Sequence, residues 1–248
     1  MSNLFSRQAF MFSDVTLQKP IHIIGLGFVG SNLFYNLAHT GFQNFMLVDF
    51  DEVQEHNLLN QLYLDRDIGQ PKVYCVSKNV REAVPEEVSK KLSVISLNAP
   101  YKEVREKYFT THTEDTDTLI VAVDSLEARV EILDYIIENW EEKKTKEKLL
   151  IFVNTSGDLL YIGVLRNNLK VVKSMRTTFK RLIETPEDTD EGLCGEKSSY
   201  YLWSLVSGLV IGEIRRVFKS NESKVWKEFI FDIKENRMRE RAKWFIKE

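Results

Sequence analysis

Ile21-His22-Ile23-Ile24-Gly25-Leu26-Gly27-Phe28-Val29-Gly30 is the stretch that decides the fold. A short apolar run ends in closely spaced glycines, and a helical pattern follows from about Val29 to His39, stopping at Gly41. A buried strand turning sharply into a helix gives this signature. The amides at the start of such a helix can face a phosphate. Phe45–Val48 reads as the next strand and ends in Asp49-Phe50-Asp51.

Outward from this unit, strand and helix patterns alternate. Pro71 fits the first turn of a helix running to about Ala83, where its missing amide proton costs nothing. Leu92–Leu97 and Thr118–Val123 are predicted strands. A helix is predicted from Ser125 to about Trp140, with Leu126, Val130, Leu133 and Ile137 on one face. Leu149–Val153 is the next predicted strand. Beyond it, Asp158–Leu165 and Leu169–Val172 predict an antiparallel hairpin turned at Asn167-Asn168. Glu184–Lys197 is acidic and aperiodic and reads as a mobile loop. A strongly apolar core or dimer helix over Ser199–Phe218 and a late strand at Phe229–Ile233 complete the pattern. The expected fold is α/β, a Rossmann-like mostly parallel sheet with helices on both faces and a β-rich C-terminal part. It makes one domain over 1–248, with an N-terminal arm (1–20), a nucleotide-binding half (21–153) and a C-terminal half (154–248) containing the loop 184–197.

The 248 residues carry a formal charge of −3, with 43% hydrophobic and 29% charged side chains. That balance suits a globular core and argues against generic nucleic-acid binding, which needs a basic surface to displace counterions. Two cysteines, Cys75 and Cys194, cannot make a four-cysteine zinc site and fit a reducing compartment. No apolar run approaches the ~20 residues that span a bilayer, and residues 1–18 lack the apolar core of a signal peptide. A cytoplasmic protein without membrane contact is the expectation. His22, His39, His56 and His112 show no metal-ligand spacing.

Asp49 stands about twenty residues past the glycine turn, where a carboxylate accepts hydrogen bonds from ribose hydroxyls. On Gly25, Gly27, Gly30 and Asp49 alone, NAD and ATP are comparable ligands. Lys72 and Asp124 together tip the balance toward ATP. An ammonium at a helix start neutralises phosphate oxygens, and a carboxylate at the end of an apolar strand can hold Mg²⁺ together with phosphates. Taken singly, Lys72 is also a solvated surface lysine and Asp124 an N-cap. Cys75 reads as core packing. Cys194 stands just before the apolar helix, where the helix dipole and Lys197 would favour its thiolate; taken singly it is equally a small apolar or incidental residue with no covalent role.

These blocks resemble the ThiF/MoeB/HesA family, the adenylating domain of ubiquitin-activating enzymes and their bacterial relatives. The resemblance runs from Arg7-Gln8 to the last strand. It takes in the glycine turn, Asp49-Phe50-Asp51, Asn57 and Gln61, the Gly-x-x-Lys ending in Lys72, and Asp124-Ser125-Leu126-Glu127-Ala128-Arg129. It implies an ATP-dependent adenylyltransferase that activates the C-terminal carboxylate of a small ubiquitin-like or sulfur-carrier protein with a glycine tail. By this resemblance Asp49 binds ribose, Asp51 belongs to the same cofactor-binding block, and Asn57, Gln61 and Lys72 contact nucleotide and phosphates. Asp124 holds Mg²⁺. Arg7 reaches the partner's site in a homodimer, and Cys194 links covalently to the activated carrier. A separate conjugating enzyme or sulfur donor is a further implied partner.

Two departures stand out. Asn60 replaces an arginine usual in the family, and Phe28 replaces a second glycine. Asparagine lacks the charge and the forked donors of arginine. Asn60 therefore motivates a second reading, a non-catalytic scaffold of the same fold, and adenylation of a tRNA base or a peptide is a further alternative on the same fold. A nicotinamide-dependent oxidoreductase is disfavoured, because it leaves Asp51, Lys72 and Asp124 without a task.

Overall fold

Ile21–Ile24 is buried at every residue and forms β1, the strand from which the sheet grows to both sides. β2 (Asn44–Asp49) pairs parallel with one edge of β1, and β3 (Ser93–Asn98) with β2. β4 (Thr118–Val121) pairs parallel with the other edge of β1, and β5 (Leu149–Ser156) with β4. β6 (Leu159–Arg166), β7 (Val225–Asp232) and β8 (Arg237–Ala242) then add antiparallel. The order is β3-β2-β1-β4-β5-β6-β7-β8. This computed structural model describes residues 11–104, 118–142, 149–156, 159–166, 168–184, 202–220, 225–232, 235 and 237–242.

Helices cover both faces, as the largely buried central strands β1, β2, β4 and β5 require. α1 (Asp14–Leu17) precedes β1, and α4 (Glu86–Lys91) follows α3 (Lys72–Ala83). One face packs α2 (Phe28–Thr40), α3 and α7 (Leu202–Lys219) around Ile21, Ile23, Leu33, Leu37 and Val76. The other packs α5 (Leu126–Glu142) and α6 (Leu169–Glu184) around Ile24, Val48, Val121, Leu133 and Phe152. Val206, Val210, Ile214 and Val217 recur at helical spacing on α7 and are fully buried, so it is a core helix. Among the described residues, no helix is long and apolar enough to cross a membrane.

The first half follows the sequence reading to within a few residues, from α2 ending at Gly41 to β5. The second half corrects it. Leu169–Val172 is not a strand; it begins the 16-residue α6. Asn168 accepts from the Val171 amide at 3.3 Å through its side chain, an N-cap that starts a helix where a turn was expected. Val171, Val172, Met175 and Phe179 then recur at helical spacing against α5, overriding the local β-propensity of the valines. The hairpin in this region is instead β5–β6, with Ser156 opposite Leu159. β8 had no counterpart in the sequence reading. Nearly all of the loop expected over 184–197 lies outside the described residues.

Candidate active site

β1 and β2 on one side, and β4 and β5 on the other, end at a cleft of about 610 Å³. It opens at the carboxyl ends of the parallel strands, where the chain order switches direction across β1 and ligands bind in such sheets. The glycine turn is its floor. Gly25 has φ +87°, and a Cβ there would stand 2.7 Å from the Ala122 carbonyl oxygen on the neighbouring strand end. A Cβ on Gly30 would stand 1.8 Å from the Gly25 carbonyl oxygen, so α2 can approach the turn only through a glycine. Around Gly27 the position of a Cβ is open, which leaves the backbone accessible from the cleft.

Asp49 sits at the end of β2, buried, on one wall. Its Oδ2 accepts the Leu26 amide at 2.5 Å and its Oδ1 the Asp51 amide at 2.8 Å. Burial pushes its carboxyl above the usual value, and those two amides partly offset the rise. Lys72, first residue of α3, is 7% exposed rather than solvated. Its Nζ donates to Asp51 Oδ2 at 2.9 Å, and its amide to the Asp51 carbonyl at 2.9 Å. The Asp-x-Asp pair is thereby divided, with Asp49 bracing the turn and Asp51 holding the lysine.

The arm 54–64 crosses above the turn. Asn57 is buried, and its side chain accepts the Gln54 amide at 2.8 Å. The amide oxygens of Asn60 and Gln61 are buried without a partner among the described residues. Each such orphan costs about 1–3 kcal/mol, and both residues line the cleft. The Tyr63 hydroxyl donates to the Leu26 carbonyl at 2.6 Å, and burial holds it well above its usual pKa, so it remains a donor.

Asp124 lies exposed on the opposite wall, between β4 and α5. It is not the helix cap; Ser125 Oγ accepts the Ala128 amide at 3.1 Å and takes that part. Arg129, 4% exposed, folds back under the strand end. Its Nε and Nη2 donate to the Val123 carbonyl at 3.0 and 2.6 Å, and Nη2 also to Asn154 Oδ1 at 2.9 Å. That clamp fixes the segment carrying Asp124.

Gly25, Gly27, Asp49, Asp51, Asn57, Gln61, Lys72 and Asp124 thus line one cleft, as do both departures, Phe28 and Asn60. Gly30 lies beneath the turn. Arg7 and Cys194 lie outside the described residues. Cys75 is core, as expected; burial pushes its thiol up to about 11. The sequence reading named Arg129 as the end of the block begun by Asp124 but gave it no task, and it did not single out Asn154 or Tyr63. An arginine sharing a helical face with Leu133 and Ile136 was a usable signal for the first. Nothing in the sequence marked the other two.

Residues 13–243 match the ThiF family. The chain belongs to that family. It is similar to the NEDD8-activating enzyme E1 catalytic subunit of Arabidopsis thaliana, 30% identical over 117 residues, which are 47% of this chain and 24% of that protein. It is also similar to tRNA threonylcarbamoyladenosine dehydratase 2 of Saccharomyces cerevisiae, 25% identical over 114 residues, covering 46% and 24%. The matches thus span about a quarter of each of these curated relatives. Among solved structures, E. coli MccB with ATP superposes with a TM-score of 0.67 at 14% identity, over 98% of this chain and 71% of that one, a likeness of fold.

The charges of this ThiF-family cleft are unbalanced. Asp49, Asp51, Glu52 and Asp124 face Lys72 and Arg129. Among the described residues, no group of three or more His, Cys, Asp or Glu could cage a metal ion. A Mg²⁺ bound through phosphates needs only one or two carboxylates, and exposed Asp124 meets that requirement.

Proposed function

We propose that this chain is an ATP-dependent adenylyltransferase activating the C-terminal carboxylate of a small ubiquitin-like or sulfur-carrier protein. The observation that carries this reading is the buried Lys72 ammonium, held by Asp51 in the same glycine-floored cleft as an exposed Asp124. Asp49 accepts the ribose hydroxyls, while Asn57 and Gln61 position the nucleotide. Lys72 neutralises phosphate oxygens. Asp124 would hold Mg²⁺, which when bound supplies positive charge to the phosphates as pyrophosphate departs. A carboxylate oxygen of the carrier attacks the α-phosphorus in line. A new P–O bond forms, the bond to the bridging oxygen breaks, and pyrophosphate carries off that electron pair. Positioning and charge neutralisation supply most of the help a protein gives such a step.

The acidic excess of the described cleft lining calls for cations from elsewhere, which supports both Mg²⁺ and Arg7 acting across a homodimer. Phe50 lines the cleft and is exposed, and Leu59, next to the lining residue Asn60, is 85% exposed. A second copy seated at the cleft mouth would cover Phe50 and deliver its Arg7. Transfer from the adenylate would then pass to Cys194, whose thiolate displaces AMP to give a thioester. Cys194→Ala is expected to keep ATP–pyrophosphate exchange and lose transfer to an acceptor; unchanged transfer removes the cysteine from the pathway.

The partial match to a tRNA dehydratase favours a second reading, with an RNA group as the adenylated target. Labelled ATP given with a glycine-tailed carrier or with tRNA separates the two by which macromolecule takes the label. The first test is calorimetric titration of ATP with and without Mg²⁺, and of NADH. Magnesium-dependent ATP binding is expected. NADH binding alone overturns the reading, and binding of neither leaves the scaffold.

A further inference from the structure

The arm carrying Asn60 and Gln61 is an irregular segment, yet it is fastened to three separate parts of the fold. From α2, Asn32 Nδ2 donates to the Asn60 carbonyl at 3.1 Å, and Ser31 Oγ accepts the Leu62 amide at 3.3 Å. From α3, Asn79 Nδ2 donates to the Leu62 carbonyl at 3.2 Å and to Asp67 Oδ2 at 2.5 Å, and that same carboxylate oxygen accepts the Leu64 amide at 2.9 Å. Arg66 Nη2 closes the group on Asn79 Oδ1 at 3.1 Å. The third fastening is the Tyr63 hydroxyl on the Leu26 carbonyl of the glycine turn.

Tyr63, Asp67 and Asn79 are all buried, and none of them lines the cleft. Asn79 lies seven residues after Lys72 on the buried face of α3, so the helix that presents the ammonium also grips the arm. Leu26 is held from both sides, its amide by Asp49 and its carbonyl by Tyr63. Turn, lysine and arm therefore share one hydrogen-bonded frame. Buried polar groups bonded in this way fix a single geometry, and a frame of this kind pre-organises the groups that meet a ligand.

We propose that Tyr63 and Asn79 are positioning residues for nucleotide binding, locking the Asn60–Gln61 arm to the glycine turn and to the Lys72 helix. This rests on the adenylation reading for the identity of the ligand, though not for the existence of the frame. The test combines amide hydrogen exchange of the free protein with calorimetric MgATP titration of wild type, Tyr63→Phe and Asn79→Ser. Tyr63→Phe keeps the ring packing and removes only the hydroxyl, and Asn79→Ser is the second variant should one fail to fold. The expected result has two parts. Exchange at the amides of residues 60–64 quickens at least tenfold while core strands stay protected, which shows the fold is kept, and the Kd for MgATP rises at least threefold. Unchanged arm exchange overturns the frame. Quickened exchange with an unchanged Kd overturns the positioning role. A wild type that binds no MgATP overturns the adenylation reading and the nucleotide role with it, while the exchange data still judge the frame separately.

Discussion

The parallel and antiparallel halves of the sheet are built to different tolerances. In β1–β5 the strand ends, the glycine turn and the starts of α2, α3 and α5 converge on one cleft, and at Gly25 and Gly30 the backbone lies so close to other backbone that a Cβ has no room. In the antiparallel part β6 pairs with β7 along its full length, Leu159–Arg166 with Val225–Asp232, and the atoms nearest a Cβ on Gly163 of β6 belong to the Tyr161 side chain. Backbone cannot step aside, whereas the end of a side chain can. The half that bears the cleft should accordingly answer to a single added methyl group, and the other should absorb it.

Gly30→Ala tests the first claim and carries the largest expected effect. The new Cβ would lie 1.8 Å from the Gly25 carbonyl oxygen, with backbone on both sides of the clash. Either α2 moves off the turn or the turn leaves Asp49. A cost of about 3 kcal/mol or more is expected, read as a melting temperature lower by roughly 10 °C. A melting curve within a degree or two of wild type would mean that the turn is soft, and the contrast between the halves would fall. Lys72→Ala comes next and separates the site from the scaffold. Asp51 is half exposed and stays solvated without its partner, so stability should hardly change. ATP–pyrophosphate exchange should drop by about 10²-fold, as when one preorganised electrostatic contact is lost. Retained exchange would place the phosphates away from Lys72.

The same difference in construction governs what could be read from the sequence. Close backbone packing leaves a record in residue type: glycines at Gly25 and Gly30, a carboxylate at the end of β2, Pro71 ahead of Lys72. Each is demanded by a local steric or electrostatic condition, and each was placed correctly from the chain alone. Lys72 and Asp124 were ambiguous singly because a lysine or an aspartate has many uses, and their meaning lay in the company that the fold gives them. Asn154 and Tyr63 were illegible because their partners, Arg129 and the Leu26 carbonyl, are far along the chain. Val171 and Val172 misled for the converse reason. Their β-propensity is local, and the helix they join is selected by packing against α5 and by the cap at Asn168.

Gly163→Ala is the mildest of these changes and the counterpart of Gly30→Ala in the antiparallel half. Gly163 sits mid-strand in β6, and an added Cβ would stand 2.9 Å from the Tyr161 hydroxyl, with two ring carbons at 3.4 Å. The close atom is the far end of a side chain, so a small rotation about the Tyr161 side-chain bonds relieves the contact. Tyr161 is partly buried and its phenol hydrogen-bonds with Glu228, so the rotation strains one bond and is not free. Against that, glycine in a strand interior gives up about 0.5–1 kcal/mol relative to alanine through the entropy of the unfolded chain. The two effects oppose each other, and the net change should stay within about 1 kcal/mol, a few degrees at most in a chain of this size. MgATP binding should not change at all, because neither residue lines the cleft. A loss as large as that of Gly30→Ala would show β6 to be as tightly closed as the turn, and the two halves would then differ only in which residues they present.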